Sequence, residues 1–70
     1  MYFKRLKELR NNNEYTQEFV SSYLKIHRVV YSRYETGQNE IPVSYLMKLS
    51  ELYNVSIDYI VENDKKRIKF

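Results

Sequence analysis

The chain has 70 residues, of which 43% are hydrophobic and 16% aromatic, with one Gly, one Pro and no Cys. This length gives one small domain with a single core, and the aromatic content argues against a disordered chain. Without cysteine there is neither a disulfide nor a thiolate zinc site. No apolar run approaches the ~20 residues that a membrane span requires. The sequence therefore predicts a cytoplasmic protein.

The net charge of +3 is modest but unevenly distributed along the chain. Residues 1–35 carry seven basic and four acidic side chains, residues 36–64 one basic and five acidic, and residues 65–70 four basic. The basic N-terminal half indicates a surface that faces a polyanion, although such clusters also occur in soluble domains without that partner. A general nucleic-acid coating protein would carry a larger net charge.

The first two predicted helices lie in residues 2–24. The first covers about Tyr2 to Asn11, because apolar side chains recur there at helical spacing. The second begins after Thr16, a favourable N-cap residue, and ends at Leu24. Its apolar arc is predicted to be Phe19, Val20, Tyr23 and Leu24. Its polar arc is predicted to be Gln17, Glu18, Ser21 and Ser22.

Three more helices are predicted in residues 28–63. The third covers about Arg28 to Thr36 and stops at Gly37, which favours a left-handed end. The fourth covers about Pro42 to Tyr53 and the fifth about Ser56 to Asn63. The predicted apolar stripe of the fourth helix is Val43, Leu46, Met47, Leu49 and Tyr53. The fold class is thus all-α with five helices, in a domain of residues 1–63 followed by a basic tail, residues 64–70.

The joint between the second and third helices carries the functional signal. Only three residues separate the two helices, which forces a tight corner. Counted from Gln17, apolar residues fall where the two helices of a helix-turn-helix face each other: Val20, Leu24, Ile26, Tyr31 and Tyr34. The opposite face of the third helix presents Arg28, Ser32 and Arg33. A helix held by one face with such side chains on the other suits the DNA major groove.

Five stretches of the chain recur together in a known family. They are Arg5-Leu6-Lys7-Glu8-Leu9-Arg10, Thr16-Gln17-Glu18, Ser32-Arg33-Tyr34-Glu35-Thr36-Gly37, Ile41-Pro42 and Asn54-Val55-Ser56-Ile57-Asp58-Tyr59. In this order and spacing, residues 4–61 resemble the lambda-repressor-like Cro/cI helix-turn-helix family, also called XRE. The turn position that usually holds Gly is Lys25, for which a left-handed conformation costs ~1 kcal/mol. The small residue at the fifth motif position is Ser21.

The resemblance implies a DNA-binding site with three kinds of residue. Contacts to base edges are expected from Arg28, Val29, Ser32 and Arg33. Contacts to phosphate are expected from Thr16, Gln17, Gln38 and Asn39, and Gln17 would also brace the recognition helix. A structural salt bridge is expected between Arg10 and Glu35. Each of these roles has an alternative. Arg28 and Arg33 could lie on a solvated helix face, and Val29 could be a half-buried packing residue. Gln17 could be a surface residue, and Arg10 could contact phosphate directly.

Other chemistry finds little support in the sequence. The single histidine, His27, has no second ligand nearby, so no metal site is expected. Tyrosines can stack on single-stranded bases, but five of the eight fall on predicted buried arcs: Tyr23, Tyr31, Tyr34, Tyr53 and Tyr59. There is no Ser/His/Asp set and no Gly-rich phosphate loop. The sequence therefore predicts no enzyme, no cofactor and no small-molecule ligand.

The resemblance implies a sequence-specific transcriptional regulator, expected to be a repressor. It would bind a double-stranded DNA operator as a homodimer formed through the C-terminal helix and tail, with half-sites about one helical turn apart. The alternative is a protein-interaction module of the same fold, either an antitoxin or an antagonist of another regulator. Its working surface would then be the apolar fifth helix and the tail. A large exposed apolar patch around Ile57, Ile60 and Val61, not closed by a self-dimer, would favour this alternative. The tail is expected to be a frayed end or, alternatively, to dock through Ile68 and Phe70.

Overall fold

A computed structural model describes residues 2–61 of the chain. The elements in this range are α1 (Lys4–Asn12), α2 (Gln17–Leu24), α3 (Arg28–Thr36), α4 (Val43–Tyr53) and α5 (Ile57–Val61). All the regular structure of these 60 positions is helical, which confirms the all-α, five-helix prediction. The predicted end of the fifth helix at Asn63 and the predicted tail, residues 64–70, lie outside the described residues. No described helix combines the length and the apolarity needed to cross a bilayer.

Local capping chemistry sets most of the helix ends. The Thr16 hydroxyl accepts a hydrogen bond from the Phe19 backbone N–H at 3.0 Å, which satisfies one unpaired donor at the start of α2. Three helices end at a left-handed residue: α2 at Lys25 with φ 62°, α3 at Gly37 with φ 82° and α4 at Asn54 with φ 58°. Gly and Asn adopt this conformation readily, whereas Lys does so at a steric cost.

The hydrophobic core draws on every helix. The helices α2 and α3 pack together, α1 packs against α3 and α5, and α4 packs against α5. The buried apolar residues are Leu6, Leu9, Val20, Leu24, Tyr31, Tyr34, Ile41, Leu46, Leu49, Tyr53 and Ile60. Because Tyr31 belongs to this set and is fully buried, α3 is anchored by one face to the rest of the domain.

The apolar arcs predicted for α2 and α4 are too wide. Phe19 and Tyr23 on α2 are 47% and 37% exposed, and Val43 and Met47 on α4 are 65% and 53% exposed. Ser21, predicted to lie on the polar arc of α2, is buried instead. The reason is that α2 turns the arc with Val20, Ser21 and Leu24 inward, and the small Ser21 side chain permits close packing. Its hydroxyl donates to the carbonyl of Glu18 at 3.0 Å.

Two of the five tyrosines predicted to be buried are exposed. Tyr23 lies at the surface, where its hydroxyl donates to the Lys48 carbonyl at 3.3 Å. Tyr59 is 42% exposed, and the Arg5 guanidinium lies 4.1 Å from its ring centroid. Both rings thus combine apolar contact with a polar partner at the surface, as amphipathic tyrosines do. Tyr31, Tyr34 and Tyr53 are buried, as predicted.

Candidate nucleic-acid interface

The corner between α2 and α3 positions the candidate interface. Lys25 takes a left-handed conformation at the end of α2, and His27 is extended before the first residue of α3. The N–H of Ile26 donates to the Ser21 carbonyl at 3.0 Å, so the chain folds back over the last turn of α2. This turn sets α3 against α2 at an angle, as a helix-turn-helix requires.

The two faces of α3 differ sharply in exposure. Tyr31, Tyr34 and Glu35 are buried against the domain. The four residues predicted to contact bases lie on the other side, within an arc of roughly 140° at about 100° per residue. Of these, Arg28, Val29 and Arg33 are exposed, and Ser32 is half-buried. The outer face of α3 therefore presents two guanidinium groups, one hydroxyl and one apolar side chain to a partner.

The predicted salt-bridge residues are in direct contact. Nε of Arg10 donates to Oε2 of Glu35 at 2.6 Å, and Nη2 of Arg10 donates to Oε1 of Glu35 at 3.2 Å. Nη1 of Arg10 donates to the Tyr15 carbonyl at 3.1 Å. The side chains are 12% and 3% exposed. This bidentate pair ties α1 to the C-terminal end of α3 in a largely water-free setting.

The same carboxylate binds a second side chain. Nε2 of Gln17 donates to Oε1 of Glu35 at 3.0 Å. Oε1 of Gln17 in turn accepts a hydrogen bond from Nη1 of Arg28 at 3.5 Å. The structure thus brings together Arg10, Glu35, Gln17 and Arg28, which were predicted in three different roles. The resemblance implied that Gln17 braces the recognition helix, but it did not identify Glu35 as the partner, because no local spacing signals a contact across 18 positions.

The ionisation of this cluster follows from its hydrogen bonds. Burial by itself would raise the pKa of Glu35, but the Arg10 guanidinium, with smaller contributions from Tyr31 and Gln17, holds that pKa below its ordinary value. The hydrogen bond to Glu35 raises the pKa of Arg10 against the opposing effect of burial. The Tyr31 hydroxyl lies near the carboxylate but outside hydrogen-bond geometry, and burial raises the pKa of Tyr31. At neutral pH the pair is therefore ionised and the phenol is neutral.

The remaining predicted phosphate contacts lie at two chain reversals. Thr16 is exposed at the start of α2; its hydroxyl oxygen is used as an acceptor, so its hydrogen stays available to an external acceptor. Gln38 and Asn39 are exposed in the loop that follows α3. The Asn39 backbone N–H donates to the Arg33 carbonyl at 3.2 Å. No hydrogen bond among the described residues joins the Gln38 or Asn39 side chain to the Glu35 cluster.

No cluster of metal-binding side chains is found among the described residues. Within residues 2–61 there is no group of three or more His, Cys, Asp or Glu side chains placed to hold a metal ion. His27 is exposed at the N-terminus of α3, where its side chain makes no capping hydrogen bond.

These features define a helix-turn-helix domain, and sequence comparison agrees. The profile of the family described as Helix-turn-helix matches residues 6–60. The chain belongs to this family, in its XRE-type branch, which confirms the resemblance seen in the sequence. No solved structure gives a significant match to the chain.

Three curated relatives from Bacillus subtilis (strain 168) illustrate the similarity. The chain is 42% identical over 62 residues to the HTH-type transcriptional regulator ImmR, covering 89% of this chain and 49% of ImmR. It is 36% identical over 62 residues to the SPbeta prophage-derived uncharacterized HTH-type transcriptional regulator YonR, covering 89% and 57%. It is 30% identical over 70 residues to the uncharacterized HTH-type transcriptional regulator YqaE, covering 100% and 60%. The chain thus spans about half the length of the curated relatives it matches.

Proposed function

We propose that this chain is the DNA-binding domain of a transcriptional regulator and that it reads double-stranded DNA by placing α3 in the major groove. The observation that carries this proposal is the asymmetry of α3. One face is anchored by Tyr31 and Glu35, whereas the other presents Arg28, Val29 and Arg33 to solvent. The relatives, which are named transcriptional regulators, support the same function.

Each of the four predicted base-contact residues of α3 has a matching chemical group in the major groove. An arginine fork matches the two acceptors of guanine, so Arg28 and Arg33 are the proposed readers of guanine. Val29 is 50% exposed and offers an apolar surface to a thymine methyl group. Ser32 supplies a hydroxyl that can donate or accept. These four residues are the proposed base contacts.

Phosphate contacts would fix the register of α3 on the duplex without reading sequence. The proposed contacts at the start of α2 are Thr16 and Gln17. There the first N–H groups of the helix have no intrahelical partner and attract an anion. Gln38 and Asn39 would hold the backbone on the other side of α3, from the loop that follows it. Such contacts contribute affinity that falls with salt.

The proposed biological form is a repressor that acts as a homodimer in the cytoplasm. Two copies joined through α5 and the residues after it would present two α3 helices to half-sites about one helical turn apart on one face of the duplex. Occupying a promoter in this way would block transcription without any chemistry on the DNA. The proposed DNA-binding domain is residues 1–63, with residues 64–70 as a basic tail.

Selection from a randomised duplex pool, followed by sequencing, tests the function directly. We expect an approximately palindromic motif, bound tightly at physiological salt. Arg28→Ala and Arg33→Ala should each weaken the selected site by ~1–3 kcal/mol while changing random DNA little. Lys48→Ala, which removes an exposed charge from α4, is the matched control and should leave the preference unchanged.

Two results would contradict parts of this proposal. An equal loss on selected and random DNA would make the arginine a phosphate contact rather than a base contact. If no sequence is enriched and affinity stays at ~10⁻⁴–10⁻⁶ M, the domain does not read sequence. That second outcome would favour the alternative, a protein-interaction module.

The structure weakens the specific surface expected for that alternative. Ile60 is fully buried, and Ile57 and Val61 pack against the core. These three residues therefore offer little open apolar surface. A contact through α5, whether with another protein or with a second copy, would have to use its exposed residues or the residues after it. The exposed face of α3 remains the better-supported working surface.

A further inference from the structure

Glu35 contacts side chains from two other helices at once. It lies near the C-terminal end of α3 and is 5% exposed. Its Oε2 accepts from Nε of Arg10 at 2.6 Å. Its Oε1 accepts both from Nη2 of Arg10 at 3.2 Å and from Nε2 of Gln17 at 3.0 Å. One carboxylate therefore fixes both a residue of α1 and a residue at the start of α2.

The chemistry of these contacts determines how the Gln17 amide is oriented. An ionised carboxylate can only accept hydrogen bonds, so the amide must turn its NH₂ group toward Glu35. The amide oxygen then points toward the start of α3, where Nη1 of Arg28 lies 3.5 Å away. Arginine can only donate. If the Gln17 amide were reversed, its oxygen would face the carboxylate and its NH₂ group would face the guanidinium, and neither pair could form a hydrogen bond. Both ends of the contact favour the same orientation.

We propose that Glu35 is a positioning residue for base recognition: by holding Gln17 in one orientation, it restrains the Arg28 guanidinium before DNA arrives. The inference rests on the proposed role of α3 in the major groove. An exposed arginine loses considerable rotamer freedom on binding, and a side chain that is already restrained loses less. Only Nη1 of Arg28 is engaged in this contact, so the edge formed by Nε and Nη2 stays available to guanine.

Arg33 is the natural internal comparison. It is exposed on the same face of α3, but its side chain makes no hydrogen bond or ion pair with any of residues 2–61. If Glu35 acts through Gln17, its effect reaches Arg28 and leaves Arg33 unchanged. A general loosening of the domain would affect both arginines alike.

The first experiment measures side-chain order in the free protein. We would record ¹⁵N relaxation at the Nε–H groups of Arg28 and Arg33 in the wild type, in Gln17→Met and in the double variant Arg10→Met with Glu35→Leu. The double variant removes the acceptor of the Gln17 amide without leaving a buried charge unpaired. Gln17→Met keeps the ion pair of Arg10 with Glu35 and so remains informative if the double variant fails to fold. We expect Arg28 to be the more ordered arginine in the wild type and to become as mobile as Arg33 in both variants.

The second experiment measures base discrimination. The base pair that Arg28 reads is identified as the position at which Arg28→Ala no longer prefers one base pair over the others. The ratio of affinities for the duplex with the preferred pair and the duplex with that pair changed is then compared between variants. We expect Gln17→Met to lower this ratio by about threefold to tenfold, part of the discrimination of a bidentate arginine–base pair. It should leave the ratio at the Arg33 pair unchanged. Loss of a phosphate contact by Gln17 weakens all duplexes equally and cancels in the ratio.

A double-variant cycle shows whether the effect passes through Arg28. In the Arg28→Ala background, Gln17→Met should change no discrimination ratio further. The proposal is overturned if Arg28 is as mobile as Arg33 in the wild type, or if Gln17→Met leaves the ratio at the Arg28 pair unchanged. Absence of any preferred duplex would refute base reading itself. If the relaxation data still showed an ordered Arg28, the contact between Gln17 and Arg28 would exist without serving base recognition.

Discussion

Replacing Arg10 by Met removes the guanidinium from the Glu35 cluster and should cost the domain about 3 kcal/mol of unfolding free energy. Arg10 makes three hydrogen bonds, two to the carboxylate and one to the Tyr15 carbonyl. The side chains of the pair are 12% and 3% exposed, so Glu35 would stay buried with only Gln17 as a hydrogen-bond partner. Methionine keeps the length and helix propensity of the arginine side chain, so α1 itself should persist.

The magnitude follows from what remains after the substitution. Removing one partner of a buried ion pair costs about 3–5 kcal/mol, because the other charge is left uncompensated. The low end applies here, since the hydrogen bond from Gln17 survives and Glu35 can take up a proton. A chain of this size has a total stability of about 4–10 kcal/mol. The variant should therefore be folded but close to the edge of stability.

Urea unfolding followed by far-ultraviolet circular dichroism at pH 7 measures this loss. With a slope of about 1 kcal/mol per molar urea for a small domain, the midpoint should fall by about 3 M. The control is the double variant Arg10→Met with Glu35→Leu, which removes both charges and should recover most of the loss. A cost below about 1 kcal/mol, the usual value for a surface pair, would refute this reasoning, as would a double variant no more stable than Arg10→Met.

Three further predictions concern stability. The folded-state pKa of Glu35 lies below its ordinary value of 4.5. The ionised side chain therefore adds to the unfolding free energy above that pH, and this addition is lost as the pH falls below it. The urea midpoint should consequently change less with pH in Glu35→Gln than in the wild type. Lys25→Gly should raise the unfolding free energy by about 1 kcal/mol in thermal melts, because glycine relieves the left-handed strain; Asn54→Gly, the control, should gain less since asparagine tolerates that conformation. Thr16→Ala should lower the stability by about 1 kcal/mol in urea, whereas Thr16→Ser should preserve it; equal losses in both variants would show that the hydroxyl cap is not responsible.

Helix ends could be read from the sequence because they depend on neighbouring residues. Thr16 accepts a hydrogen bond from a backbone N–H three positions later. Gly37 and Asn54 take the left-handed conformation that ends a helix. These interactions are local, so the residue type at one position is enough to predict them. The left-handed Lys25 is different, because lysine does not favour this conformation. It follows from the resemblance to the family, in which this turn position usually holds Gly.

Which side chains of α2 and α4 are buried could not be predicted from the sequence in the same way. Helical periodicity locates an apolar arc, but its buried width depends on where the neighbouring helices lie. Phe19 and Met47 belong to apolar arcs and yet are 47% and 53% exposed. Ser21 is polar and yet buried; periodicity places it on the polar arc, whereas the resemblance places it at the small-residue position of the motif. Such outcomes are set by tertiary packing rather than by the pattern along one helix.

The candidate site shows the same division between local and long-range information. The outer face of α3 follows from the period of one helix, so Arg28, Val29 and Arg33 could be placed on it from sequence alone. The contact of Gln17 with Glu35 spans 18 positions and depends on how α2, α3 and the corner between them are folded. It becomes visible only when the two helix ends are placed together.

In the role proposed for Glu35, stability and recognition share one carboxylate, and the two uses can be separated. The double variant Arg10→Met with Glu35→Leu removes the buried charges together, so it should restore stability. It also removes the acceptor that orients Gln17, so the Arg28 guanidinium should lose its restraint even though the domain is stably folded. A variant that is stable and still discriminates fully at the Arg28 pair would show that Glu35 serves the fold alone. A variant that is stable but discriminates less would show that a buried charge is retained for recognition as well as for packing.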